Sequence, residues 1–255
     1  MSIPSFPNTG RMVDYWLGGS HHFPVDIEAA KLFEEAYSNF RTFFEQLRDF
    51  NGRVCRYMQL QGIDQFIVFA AGIPTCGNVH EVVPHAKVLY TDIDLTNIQF
   101  GQEILADNPN ADYTFCDVTN LDTLNQSVVN KILEPTRRLG IVLVGISAFI
   151  PDQTLAETLD KLYDWAPVGS FLALDFDGDA AVHYPKLLQL LQDIGTPLLM
   201  RNPTNFLPLL GRWQLTEYAI NPVEAWHTKV STDSIQIQEP VFSYGCVVYK
   251  SIRFS

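Results

Sequence analysis

Phe66-Ile67-Val68-Phe69-Ala70-Ala71-Gly72-Ile73-Pro74-Thr75-Cys76-Gly77-Asn78 is the stretch on which the fold turns. An apolar run too short for a helix, Phe66 to Ala70, enters a glycine-bearing turn, and the pattern predicts a helix opening near Asn78 and reaching Val83. Strand, turn and helix in that order begin a β-α-β unit. Glycine in such a turn lets the backbone come close to a ligand and aims free N–H groups at it. The next apolar run, Lys87 to Thr91, ends on Asp92, twenty residues past Gly72. That is the offset at which a carboxylate meets the ribose hydroxyls of a bound nucleotide, although an aspartate at a strand end also serves as a helix cap.

Outward from this unit, further short apolar runs read as buried strands: Asp112 to Phe115, Ile141 to Ile146 and Ser170 to Leu174. Helical spacing separates them, with Leu155, Leu159 and Leu162 after Pro151-Asp152, and Leu187, Leu188, Leu190 and Leu191 further on. The alternation predicts an α/β fold, a doubly wound and mostly parallel sheet covered on both faces. Trp213 to Ile220 and Val241 to Ile252 read as two more strands forming an antiparallel pair at the sheet edge, which makes seven strands in all. The first sixty residues carry no strand and read as helices over Ile27 to Tyr37 and Phe40 to Leu60. The expected division is therefore an N-terminal helical lid over residues 1–60 and a ligand-binding α/β domain over 61–255.

Composition narrows the chemistry. The 255 residues carry 29 acidic against 17 basic side chains, a formal charge of -12, and no basic patch larger than Arg137-Arg138. Such a surface repels phosphate backbones, so nucleic acid is excluded as an expected partner. The longest apolar stretch, Ile141 to Pro151, is far short of a membrane span, and the N-terminus lacks a basic segment followed by an apolar run, so a soluble cytoplasmic protein is expected. Cys55, Cys76, Cys116 and Cys246 stand far apart without metal-ligand spacing, and His80-Glu81 has no second ligand pair; no disulfide framework and no metal are expected.

The remaining strand ends add polar groups suited to an adenosine. Cys116-Asp117-Val118 places a carboxylate where it can accept from an exocyclic amine, though Asp-Val-Thr-Asn is also ordinary turn chemistry. Gly145-Ile146-Ser147 supplies a floor of small residues. The dinucleotide fingerprint is missing, because no glycine stands at Ile73 or Pro74, so a pyrophosphate-bearing cofactor such as NAD is disfavoured. S-adenosylmethionine, which has adenine and ribose but no phosphate, tolerates the looser turn.

Two long motifs in order then carry a resemblance. Val13-Asp14-Tyr15-Trp16-Leu17-Gly18-Gly19 with Phe23 and Asp26, the arginine-bearing segment Arg48 to Tyr57, and Gly62 through Glu81 followed by Val88 to Asp94 resemble the type-19 family of bacterial S-adenosylmethionine-dependent methyltransferases, over most of residues 8–180. The resemblance implies a class I methyltransferase fold with a Rossmann-like sheet of seven strands, S-adenosylmethionine as cofactor and S-adenosylhomocysteine as product. It also implies site roles. Ala70, Gly72, Pro74, Thr75 and Asn78 would form the methionine-side turn, Asp92 and Ile93 the ribose edge, Asp117 and Val118 the adenine edge, and Gly145 and Ser147 the floor. Tyr15, Gly18, Gly19 and Arg48 would come from the lid, Arg48 as partner of the methionine carboxylate.

The departures are specific. Where the family has Asp-Ile-Gly-Thr-Gly, this chain has Val68-Phe69-Ala70-Ala71-Gly72, losing the aspartate that helps hold the methionine amino group. An Asp-Asn pair in the N-terminal motif is His21-His22 here, and a histidine near the fourth strand is Ala148. His21, His22 and Tyr15 are the catalytic candidates. An imidazole can take a proton from an oxygen or nitrogen nucleophile, and an aromatic ring favours a cationic sulfonium, while loop exposure and core packing account for the same residues equally well. The expected activity is methylation of a small-molecule oxygen, nitrogen or carbon centre; the alternative is a protein of the same fold that binds S-adenosylmethionine or S-adenosylhomocysteine without transferring methyl.

Overall fold

The computed structural model describes residues 4–227 and 241–251. Five parallel strands form its centre: β1 (Gln65–Val68), β2 (Lys87–Asp92), β3 (Ala111–Phe115), β4 (Gly140–Leu143) and β5 (Phe171–Asp177), lying side by side in the order β3-β2-β1-β4-β5. Val68 of β1 pairs with Tyr90 of β2 on one side and Val142 of β4 on the other. The chain thus reverses its winding direction at β1, and the crevice beyond the ends of β1 and β4 is where open α/β sheets take ligands.

Each strand serves two cores because successive side chains point to opposite faces. Phe66, Val88, Tyr90, Val142 and Ala173 join one apolar layer. Ile67, Leu89, Ile141, Leu143, Leu172 and Leu174 join the other, against Leu155, Leu159 and Leu162 of helix α7 (Asp152–Trp165 in chain order after the helices named below). Burial on both faces explains why the strands read as continuous apolar runs.

The sheet closes with β6 (Gln214–Leu215), β7 (Asn221–Pro222) and β8 (Ser243–Tyr249). β8 runs antiparallel to β5, from Phe171 opposite Tyr249 to Asp177 opposite Ser243. Among the described residues there are eight strands where seven are expected, because the predicted Trp213 to Ile220 strand keeps only Gln214–Leu215 and a further short strand follows it at Asn221–Pro222. Ala219 adopts a left-handed φ of 52°, and its N–H donates to the Thr216 carbonyl, so the chain turns away from β8 after Leu215 and returns at Asn221. Of the predicted last strand, Ile252 lies outside the described residues.

Three helices precede the sheet: α1 (Thr9–Trp16), α2 (Pro24–Ala36) and α3 (Phe40–Leu60). α1 was not expected; it is set by Asn8, whose side chain accepts from the Arg11 N–H as an N-cap. α3 buries Phe50, Val54 and Met58 completely, in the same layer as Phe66 and Val88. Its inner face therefore belongs to the core, while α1 and α2 rise over the strand ends. The turn after β1 opens a short α4 (Val79–Val82), and α5 (Leu95–Leu105) and α6 (Gln126–Ile132) complete the first half. In the second half, α8 (Pro185–Asp193) and α9 (Pro203–Phe206) follow β5. Among the described residues, no helix is long and apolar enough to cross a membrane.

Candidate functional site

A cavity of about 640 Å³ opens at the strand ends, between them and α1 and α3. That volume lies within the range of small-molecule and cofactor sites. Gly72 stands in its wall with φ of 61°, a left-handed conformation that glycine adopts without strain. Its peptide is held from both sides: the Gly72 N–H donates to Asp92 Oδ2 at 2.9 Å, and the Tyr113 hydroxyl donates to the Gly72 carbonyl at 2.7 Å. Ala70 is also left-handed, at φ of 49°. This is the position where the resembled family has glycine, and here an L side chain accepts the strain.

Asp92 is 7% exposed and spans the crevice. Besides Gly72, its Oδ1 accepts from the Asp94 N–H at 2.9 Å. Burial pushes its carboxyl above the usual range, and backbone donors from Asp94, Gly72 and Ile93 pull it back. The helix cap is a different residue: Asp94 Oδ1 accepts from the N–H groups of Thr96 and Asn97 at the start of α5. Asp92 is therefore free of capping, and its carboxylate keeps acceptor capacity for a further donor.

The N-terminal segment is tied to this edge. Asn8 Nδ2 donates to Asp94 Oδ2 at 2.8 Å, and the Asn8 N–H donates to Asp26 Oδ1 at 3.0 Å. Asp26, fully buried, also pairs with Arg11 at 2.8 Å. A buried pair of this kind fixes geometry, since breaking it leaves a charge without compensation.

Arg48 reaches the cavity from α3 and donates to Asn78 Oδ1; Asn78 in turn caps α4 together with Glu81. Among the described residues no carboxylate lies within ion-pair distance of Arg48. Burial holds its guanidinium below its ordinary value, a cost that a bound carboxylate offsets. Asp117 lies on the wall as well, but its Oδ1 accepts from the Thr119 N–H and hydroxyl, the ordinary turn chemistry of such a sequence. Phe69, Ile93, Val118 and Ile146 give the cavity an apolar wall beside it.

The structure thus brings Arg48, Ala70, Gly72, Asn78, Asp92, Ile93, Asp117, Val118 and Gly145 together around one cavity. Pro74 and Thr75 are not on its wall, and Ser147 is fully buried beneath it, its hydroxyl donating to the Asp175 carbonyl. Tyr15, Gly18, Gly19, His21 and His22 also lie off the wall. They surround the buried carboxylate of Asp14: the His21 N–H donates to Oδ2 at 2.7 Å, and His22 Nδ1 lies 2.8 Å from the same oxygen. Gly18 has φ of 76° after the end of α1, and a Cβ on Gly19 would meet Asp14 Oδ1 at 2.0 Å. The paired glycines are accounted for by that bend and that carboxylate. Tyr15 packs under Arg41, 5.0 Å from its ring, and against His22.

Sequence reading missed Asn8, Asn51 and Asn97, which supply amides to the wall, and the rings of Phe40 and Phe44 that join Trp16 there. The asparagines carry no signal of their own; the aromatics follow helical spacing and read as core. It also missed Asp175 and Asp177, although two aspartates continuing an apolar strand were visible in the sequence as an oddity.

The residues present fit S-adenosylmethionine. Arg48 and the Gly72 turn suit the carboxylate end, buried Asp92 suits vicinal hydroxyls, and the apolar wall with Asp117 suits a purine. The fit is looser at one point: Val68, on the wall, replaces the family's amino-group carboxylate.

Comparison with known proteins agrees. The sequence profile of the family described as S-adenosyl methyltransferase matches residues 4–251. A Thermobifida fusca YX protein assigned as a methyltransferase superposes with a TM-score of 0.86 at 24% identity, over 97% of this chain and 96% of that one. A DUF574 family protein from Streptomyces avermitilis MA-4680 gives 0.82 at 24% identity, over 96% and 98%. The magnesium protoporphyrin IX methyltransferase of Synechocystis PCC 6803, with bound S-adenosylhomocysteine, shares the fold at a TM-score of 0.54 and 14% identity, over 84% and 86%. Comparison with curated protein sequences finds no match. With the profile spanning nearly the whole chain and the class I sheet beneath it, the chain belongs to the S-adenosyl methyltransferase family, with S-adenosylmethionine as methyl donor and S-adenosylhomocysteine as product.

Proposed function

We propose that the protein methylates a small molecule at an oxygen, nitrogen or carbon centre, in the cytoplasm. The observation that carries the reading is Arg48, a cation on the wall of the same cavity as Asp92 and Gly72 with no carboxylate within ion-pair distance among the described residues. An anionic group at one end and hydroxyls at the other describe the zwitterionic donor better than a phosphate-bearing nucleotide. Four free thiols suit a reducing compartment, and the charge of -12 suits an acceptor that is not a polyanion.

When bound, S-adenosylmethionine supplies an electrophilic methyl group on a sulfonium. This chain's own work is to align and to dry the site. Arg48 and Asp92 fix the two ends of the donor, so the methyl carbon has one direction of approach, and alignment of this kind is worth several kcal/mol of barrier. Trp16, Phe40, Phe44 and Leu47 from α1 and α3 cover the cavity with apolar surface and exclude water. In this reading Gly18, Gly19, His21 and His22 hold the bend between α1 and α2 through Asp14, and Tyr15 steadies Arg41. Incubation with S-adenosylmethionine carrying an isotopic methyl label and a small-molecule extract, followed by mass spectrometry, tests it. Labelled products below about 1 kDa support the reading; label found only on macromolecules contradicts it.

A further inference from the structure

Beside the main cavity lies a recess of about 40 Å³ at the end of β5. It shares Phe40, Phe44, Gly145 and Phe149 with the larger space, so the two adjoin. Rings of Phe40, Phe43, Phe44, Phe149 and Phe242 wall it, and the two polar side chains on it are Asp175 and Asp177. These carboxylates are 3% and 6% exposed. They stand two apart on one strand and so face the same side.

Neither has an ion-pair partner among the described residues. The nearest buried cation, Arg201, is committed elsewhere: its side chain donates to Asp152 at 2.8 Å and to the Ser147 carbonyl at 2.8 Å, and only its backbone N–H meets the Asp177 carbonyl. The Gly145 N–H donates to Asp175 Oδ1 at 2.7 Å, and the Ser243 hydroxyl, which donates to the Phe176 carbonyl, lies close enough to both carboxyls to lower their proton affinity. Arg201 reaches Asp177 only through its field, and burying two acidic groups without an ion pair is costly.

We propose that this recess binds the cationic head of the methyl acceptor, a primary or secondary amine on an apolar body, with Asp177 and Asp175 as its counter-charges. That the amine is the methyl acceptor rests on the methyl-transfer reading above; that the recess takes an amine rests on its walls. Aromatic faces attract an ammonium through their quadrupoles, and desolvated sites strengthen the attraction. A volume of about 40 Å³ admits one ammonium-sized group, a water occupying about 30 Å³ of liquid, while the acceptor's body extends into the larger cavity. Burial pushes the Asp175 carboxyl up to about 6, and burial together with Asp175 also holds Asp177 above its ordinary range. An arriving ammonium favours the ionised forms, so it binds as the carboxyl protons leave to solvent. The bound amine then gives one proton to water before its lone pair takes the methyl group.

Calorimetric titration of the full chain, with and without saturating S-adenosylhomocysteine, tests this with butylamine and phenethylamine against 1-butanol and 2-phenylethanol. Each amine is expected to bind at least tenfold more tightly than its alcohol. Asp177→Asn or Asp175→Asn should shrink that ratio below threefold while S-adenosylhomocysteine affinity stays within twofold of wild type, which also certifies folding. Equal binding of amine and alcohol, no amine binding, or a ratio preserved in both variants overturns the proposal. Failure of S-adenosylhomocysteine to bind, with the amine preference intact, instead overturns the methyl-transfer reading.

Discussion

Replacing Asp92 with Ala separates holding the protein together from holding the ligand. In the wild type its two oxygens accept from the Gly72 and Asp94 N–H groups, each at 2.9 Å. Hydrogen bonds to a charged group contribute about 1.5–3 kcal/mol each, against which stands the cost of burying the carboxylate, visible in its raised proton affinity. The net loss in unfolding free energy should be about 1–3 kcal/mol. Ligand affinity should fall further: losing two charge-assisted bonds to vicinal hydroxyls costs about 3 kcal/mol, roughly a hundredfold in Kd. The assay is calorimetry with S-adenosylhomocysteine and with its 2′,3′-dideoxyribose analogue, on wild type and Asp92→Ala, beside urea unfolding of both. Wild type should lose about as much on removal of the hydroxyls as on removal of the carboxylate, and the variant should lose little more with the analogue. A variant that is less stable yet keeps S-adenosylhomocysteine within twofold refutes the ribose role and leaves Asp92 as a clasp between β1 and β2.

Arg48→Gln keeps a donor for Asn78 but removes the charge; S-adenosylhomocysteine affinity should drop at least tenfold, whereas affinity for adenosine, which lacks the carboxylate, should change less than twofold. Ala70→Gly should raise unfolding free energy by about 0.5–1 kcal/mol, since it relieves a left-handed alanine, partly offset by a freer unfolded chain. Gly19→Ala should lose at least 1 kcal/mol in the same unfolding assay because its Cβ meets the buried Asp14 carboxylate at 2.0 Å. The Asp175 carboxyl binds its proton more tightly folded, near pH 6, than unfolded, near pH 3.8, so the native state is favoured below that window and loses stability as pH rises through it. A displacement of about two pH units is worth about 3 kcal/mol at most, and thermal unfolding between pH 4 and pH 7 should show a loss of Tm that Asp175→Asn reduces.

Much of the scaffold was legible because a parallel sheet buried on both faces writes itself as short apolar runs, and helix α3 writes itself as helical spacing. The offset between Gly72 and Asp92 was legible because both residues sit at strand ends fixed by β1–β2 pairing. What resisted reading was tertiary. Gly18, Gly19, His21 and His22 share one motif with their neighbours, yet they turn about Asp14 and away from the cavity, a direction set by how α1 docks. The break after Leu215 depends on Ala219 adopting a conformation that alanine seldom takes, which no propensity anticipates. Asp175 and Asp177 come together with five phenylalanine rings from three other segments, an assembly invisible along the chain.

The central claim is that this cavity binds S-adenosylmethionine and its product through Arg48, Gly72 and Asp92. Calorimetric titration of the purified protein with S-adenosylmethionine, S-adenosylhomocysteine and NAD tests it most directly. The account predicts one-to-one binding of both sulfur ligands and none of NAD; heat from NAD alone, or from none of the three, would contradict it.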